Sequence, residues 1–175
     1  MKVDVLREAG YEEALLGLSL SYNRPVEDMP SVAARLAAKG GSHAKFLESI
    51  AVWLDVTAPR YWWSQFDTYR IGVTKQSEST MHTLTNTELS ASNFQGPISL
   101  DVLDALNRFT DMDDLKSAKA NLPESFLQRR IICTNYKVIS HIYNQRKAHR
   151  LEEWHTFCDT VIEQCEYPSF LEEAL

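Results

Sequence analysis

The alternation of apolar and polar residues changes period several times along this chain, and each change marks an element. Val3 and Val5 alternate with Lys2, Asp4 and Leu6, which predicts a short strand. Tyr11, Ala14, Leu15 and Leu18 fall at helical spacing, and Ser21, Tyr22, Asn23 and Pro25 end that helix. Ser31 is read as the cap of a helix reaching Lys39, with Val32, Ala33 and Leu36 on one face and Gly40-Gly41 as its stop. Ile50, Val52, Leu54 and Val56 alternate with Ala51, Trp53, Asp55 and Thr57 to give the clearest strand in the chain. Pro59 suits the first position of the helix that follows, Arg60–Tyr69, whose Trp62, Trp63, Phe66 and Tyr69 form an apolar stripe.

Beyond Tyr69 the pattern weakens. Residues 73–87 are rich in Ser and Thr without a period, and read as a ligand loop or a solvated connection; residues 90–97 read as a linker. Helices are predicted from Ser99 to Phe109, from Asp111 to Ala120 and from Pro123 to Arg130, followed by a short β-prone run, Ile131–Asn135. Lys137–Arg146 returns to helical spacing. Trp154, Phe157, Cys158, Val161 and Cys165 make the apolar stripe of a helix over 151–165, and residues 169–175 read as a terminal turn or helix. Strands mixed with more numerous helices predict an α/β or α+β single domain spanning residues 1–175.

Composition narrows the function. The chain has 175 residues, 44% of them hydrophobic, enough for a real core. A net charge of −6 argues against a general nucleic-acid or membrane-surface binder. Three cysteines without a C-x-x-C suggest free thiols in a reducing cytoplasm rather than a disulfide frame or a zinc ribbon. No run approaches the roughly 18 apolar residues of a membrane helix. G-x-G-x-x-G, P-loop, G-x-S-x-G and H-E-x-x-H motifs are absent, and nothing in the spacing of the five histidines supports a metal site.

The densest polar material lies between Asn135 and Arg150. Lys137, His141, Asn144 and Gln145 share one helix face, either a solvated face or one that offers cations and amides to an anionic or heteroaromatic ligand. A helical nucleic-acid module using Arg129, Arg130, Lys137, Arg146, Lys147 and Arg150 is an alternative that the net charge opposes.

Several stretches, in order and at matching spacing, resemble the flavin-dependent thymidylate synthases. MKVDVL is similar to that family's first strand, and Ser21 in LSLSY stands before an aromatic residue as in the family. Residues 41–50, GSHAKFLESI, resemble its G-H-E-T-P-F-E-H stretch, and Gln65 and Arg70-Ile71 follow the strand that ends in Ala58-Pro59. Leu122-Pro123, Ile132-Cys133-Thr134-Asn135 and Asn144-Gln145-Arg146 resemble its L-P, W-T-V-N and N-L-R segments, and Trp154 lies one residue from the register of its H-A-Q-W. The likeness spans most of the chain outside roughly residues 84–118. It departs at the family signature, R-H-R-x(7)-R-x-S: here the R-H-R place reads Thr68-Tyr69-Arg70, and no arginine follows Lys75-Gln76-Ser77-Glu78-Ser79-Thr80.

The resemblance implies a mixed sheet flanked by helices and a homotetramer whose sites draw on several subunits. It implies transfer of a one-carbon unit to C5 of a pyrimidine deoxynucleotide such as dUMP, with FAD, methylene-tetrahydrofolate and NADPH. Arg146 is then the catalytic residue and also holds the pyrimidine. His43, Lys45, Arg70, Asn135 and His141 are implied as flavin contacts, and Gln65, Glu78, Ser79 and Lys119 as nucleotide contacts. The altered signature leaves a non-catalytic paralogue, a nucleotide-binding or scaffold protein of the same fold, as the alternative.

Overall fold

The computed structural model describes Met1–Glu172, with Thr85 and Asn86 described in their backbone only; the end of the expected terminal turn lies outside the described residues. Strand β1 (Lys2–Ala9) leads into α1 (Tyr11–Tyr22) and α2 (Met29–Lys39), and a 3-10 stretch, Gly41–Ser49, leads into β2 (Ala51–Pro59). Then come α3 (Arg60–Phe66), β3 (Thr74–Ser77), α4 (Thr80–Asn86), α5 (Leu100–Asp111), α6 (Leu115–Ala120), β4 (Leu127–Asn135), α7 (Tyr136–Arg146) and α8 (Glu152–Gln164). The strands form one sheet in the order β1-β2-β4-β3. Arg60 N donates to Phe126 O and Tyr136 N to Ile50 O, one at each end of the β2–β4 pair, and this pairing is antiparallel. The fold is α+β, with an antiparallel sheet where a mixed one was expected.

The chain divides into two compact units. The first comprises Met1–Lys2, Val56–Tyr69 and Gln76–Arg130; the second comprises Val3–Asp55, Arg70–Lys75 and the chain from Ile131 onward. In the first, Leu84, Leu89, Phe94, Leu106, Ala118, Leu122 and Phe126 form the core. Trp62 packs edge-on to Trp63 and stacks on Phe66, as the aromatic stripe predicts. In the second, Val52 and Leu54 of β2 are fully buried while Trp53 and Asp55 on the other face are half-buried, which is the period-2 pattern read from the sequence. Tyr11 stacks on Tyr167 at 3.8 Å, and the Tyr136 hydroxyl donates to Glu8 and accepts from Tyr167 N. Glycine is required at position 10, where φ is +99° and a Cβ would collide with the Ser49 carbonyl.

Several boundaries move for local reasons. The helix expected over 123–130 is a turn followed by strand: Phe126 N closes on Pro123 O, Ser125 O accepts from Gln95 N, and β4 begins at Leu127. Helix α3 stops at Phe66, and the backbone of 67–69 turns back on residues 63–66, so Tyr69 lies beyond it. Pro59 is extended and stands at the cap, one residue before the helix. Asp114, not Asp111, caps α6 by accepting from Ser117 N. Helix α2 starts at Met29, with Ser31 inside its first turn bonded back to Asp28 O. Residues 73–87 hold β3 and α4, and the expected linker at 90–97 holds a capping box at Ser90 and Asn93, with Phe94 bridged to Phe126.

Candidate functional site

In the second unit the first turn of α7 is a meeting point. Asn135 caps it, accepting from Val138 N at 3.0 Å through Oδ1, which leaves the Nδ2 donors for other partners. Lys137 Nζ donates to Gly41 O at 2.8 Å and ties the helix start to the turn that carries His43 and Lys45. That turn is 3-10, so residues three apart share a side: Ala44 and Leu47 are buried, and His43 and Lys45 are left exposed. The segment carrying Arg70 comes to the same place, with Thr134 Oγ1 donating to Gly72 O at 2.9 Å. Arg70 is exposed, and Ile71 beside it is 90% exposed. His43, Lys45, Arg70 and Asn135 are thus carried by segments that converge on one helix start.

Arg146 stands at the other end of α7. It is the eleventh residue of the helix, roughly 16 Å of rise from the cap. Its guanidinium lies 4.7 Å from the ring centroid of Trp154, which is fully buried on α8. His149 makes an edge contact with the same ring at 6.2 Å. Its Nδ1 accepts from Leu151 N, which puts the neutral ring's proton on Nε2. Burial, then the charges of Arg146, His155 and Arg150, hold the His149 imidazolium below its ordinary pKa. Asn144 is committed to the fold, donating to Ser140 O and Leu171 O. His141 is exposed one turn above Lys137, so it is no core histidine.

The expected nucleotide contacts lie in the first unit. Gln65 is half-buried on α3, and Lys119 is exposed in the last turn of α6. Glu78 N donates to Arg129 O at the sheet edge, and Ser79 stands at the cap of α4, where its carbonyl accepts from the Thr83 hydroxyl. Arg130 is a cation fixed within this unit. It is 15% exposed, packs 4.3 Å from the Trp63 ring centroid and donates to both Asp67 oxygens at 3.1 Å and to Gln128 Oε1. Such an arginine is part of the fold and not a free phosphate contact, which takes it out of the basic nucleic-acid set.

The six candidates of the second unit are two arginines, a lysine, two histidines and an asparagine, without a carboxylate, in a chain of net charge −6. That donor set suits a ligand bearing phosphate and a polar ring. Sequence reasoning missed Trp154 as the support of Arg146, and Thr134 and Gly72 as supports of Arg70. Trp154 had a signal, its place near the H-A-Q-W register, and Thr134 lies in the segment that resembles W-T-V-N; Gly72 had none before the turn was seen. Burial pushes the Cys158 and Cys165 thiols up to about 12, which suits packing and not nucleophilic work. Among the described residues no group of His, Cys, Asp and Glu is arranged to hold a metal ion, and no helix is long and apolar enough to cross a membrane.

Neither a protein-family model nor a curated protein sequence matches the chain. Solved structures do. The chain matches the flavin-dependent thymidylate synthase ThyX of Helicobacter pylori, complexed with FAD and dUMP, at a TM-score of 0.81, with 15% identity and all of both chains covered. A second structure of that enzyme with FAD and dUMP matches at 0.79 and 14% identity, covering 98% of this chain and 97% of the other. The UMP/dUMP methylase PolB of Streptomyces cacaoi, bound with 5-Br dUMP, matches at 0.70 and 12% identity, covering 97% and 93%. The chain therefore has the fold of the flavin-dependent thymidylate synthases over its full length.

Proposed function

We propose that this chain uses its flavin-dependent thymidylate synthase fold for the chemistry of that fold: binding a pyrimidine deoxynucleotide of the dUMP type together with FAD, and adding a one-carbon unit at C5. The observation that carries the reading is the full-length match to a structure complexed with FAD and dUMP. When bound, the flavin supplies hydride, methylene-tetrahydrofolate the carbon and NADPH the reducing equivalents. His43, Lys45, Arg70, Asn135 and His141 hold the flavin, Asn135 through its Nδ2 donor. Gln65, Glu78, Ser79 and Lys119 face the nucleotide, Lys119 as a point charge toward phosphate. Arg146, held over the Trp154 ring, donates to a pyrimidine carbonyl and stabilises negative charge as it develops there.

Arg146, assigned to the pyrimidine, and Asn135, assigned to the flavin, stand at opposite ends of one helix, roughly 16 Å of rise apart. The reading includes a homo-oligomer, a tetramer by the resemblance, in which Arg146 of one copy completes the site of another. Mixing inactive Arg146→Ala and inactive Asn135→Asp proteins after partial denaturation is expected to restore part of the activity, and a mixture as inactive as its parts counts against shared sites. The free thiols suit a cytoplasmic protein.

Thr68 and Tyr69 at the signature place favour a second reading, a non-catalytic nucleotide-binding or scaffold paralogue. Flavin absorbance separates the two. Protein that purifies yellow, or turns yellow with FAD, and loses the colour on His43→Ala or Asn135→Asp supports the enzyme; protein that ignores FAD supports the paralogue.

A further inference from the structure

We propose that Thr134 is a positioning residue for ligand binding: its hydroxyl latches the Arg70–Val73 segment onto the end of β4 and so sets where Arg70 stands. The inference rests on the reading above for what Arg70 meets, but the latch has its own geometry.

Thr134 is 5% exposed, and its hydroxyl spends its donor on Gly72 O at 2.9 Å, across 62 positions of sequence. Gly72 has φ +70°, a backbone conformation that costs glycine little. It is also pressed against the helix start. A Cβ there would meet Val138 Cγ2 at 3.1 Å and Asn135 Nδ2 at 3.2 Å, tighter than ordinary contact. The segment is thus pinned at one residue, from one side by a hydroxyl and from the other by the cap of α7. Arg70 and Ile71 just before the pin are exposed, Ile71 at 90%. An apolar side chain that exposed, next to a cation, has no packing role in the chain as it stands. The pin is what holds this pair beside Asn135, the other implied flavin contact. Without the hydroxyl, the segment keeps its sequence and loses its register against the helix.

Trypsin and FAD titration test this on the full chain. Thr134→Val removes the hydroxyl at nearly constant volume, and Thr134→Ser keeps it. Expected for Thr134→Val are several-fold faster cleavage after Arg70 in the native protein and roughly fivefold weaker FAD binding, the worth of one hydrogen bond. Thr134→Ser restores both. In an Arg70→Ala background the Thr134→Val effect on FAD is expected to vanish, because the hydroxyl acts through Arg70. Unchanged cleavage and affinity in Thr134→Val overturn the latch. An affinity loss that persists undiminished without Arg70 overturns the positioning role and leaves Thr134 a fold residue. Should the wild type bind neither FAD nor dUMP, the functional reading falls, and the cleavage rate alone decides whether the latch stands.

Discussion

The guanidinium of Arg146 lies 4.7 Å from the centroid of the buried Trp154 ring. A guanidinium stacks on aromatic faces and carries its N–H donors in a rigid planar fork. Lysine keeps the charge but loses that fork. Arg146→Lys is therefore expected to lower kcat by about 100-fold, the scale of a lost preorganised donor, with a smaller change in KM. Trp154→Phe, which keeps a smaller face, is expected to fall between wild type and Arg146→Lys. Steady-state kinetics with the nucleotide substrate checks the order, and a thermal melt confirms that the Phe variant is folded.

Under the proposed function, Asn135 divides its amide between fold and ligand. Oδ1 caps α7 and Nδ2 remains to donate. Asp caps as well as Asn does, so Asn135→Asp is expected to keep stability within about 0.5 kcal/mol while losing FAD affinity. Asn135→Ala loses both, with about 1 kcal/mol off the fold. Denaturant melts alongside flavin titrations separate the two effects. Equal affinity in Asn135→Asp and wild type contradicts the donor role.

What the sequence showed, and what it hid, follows from which signals are local. β2 was legible because Val52, Leu54 and Val56 alternate with half-exposed partners, and the stripe of Trp62, Trp63 and Phe66 was legible for the same reason at helical period. The start of β4 was hidden because Gln128, Arg129 and Arg130 look like a solvated helix end. Their fate is decided by Asp67, Trp63 and Glu78, which are distant in sequence. β3 and α4 carry no period at all. For the proposed site, the candidate residues come from the resemblance alone. Their supports were not legible, since Arg146 and Trp154 are eight apart across a helix break, and Thr134 and Gly72 are joined only by the fold.

The thiols give a simple check. Cys158 and Cys165 are buried and their pKa values stand near 12, so the thiolate is scarce at neutral pH. Native protein at pH 8 is expected to react with a thiol reagent at Cys133 only, and at all three positions once denatured. Because the proposed chemistry uses no cysteine nucleophile, Cys133→Ser should retain activity. An inactive, folded Cys133→Ser contradicts the mechanism.

His149 predicts a pH effect of known sign. Its folded pKa lies below the ordinary value of about 6.5, so between the two values the unfolded chain binds the proton and the folded chain does not. Stability therefore falls as pH drops below about 6.5 and levels off once the folded state is protonated too. His149→Asn is expected to show a shallower loss of Tm between pH 7 and pH 5 than wild type. Parallel curves for the two proteins contradict it.

The proposed reaction is transfer of a one-carbon unit to a pyrimidine ring. Purified protein is incubated with FAD, methylene-tetrahydrofolate, NADPH and either dUMP or dCMP, and the nucleotide is weighed by mass spectrometry, with Arg146→Ala as control. One of the two nucleotides is expected to gain a one-carbon unit at C5 with wild type and not with the variant. Both nucleotides recovered unchanged from folded, FAD-bound protein would contradict it.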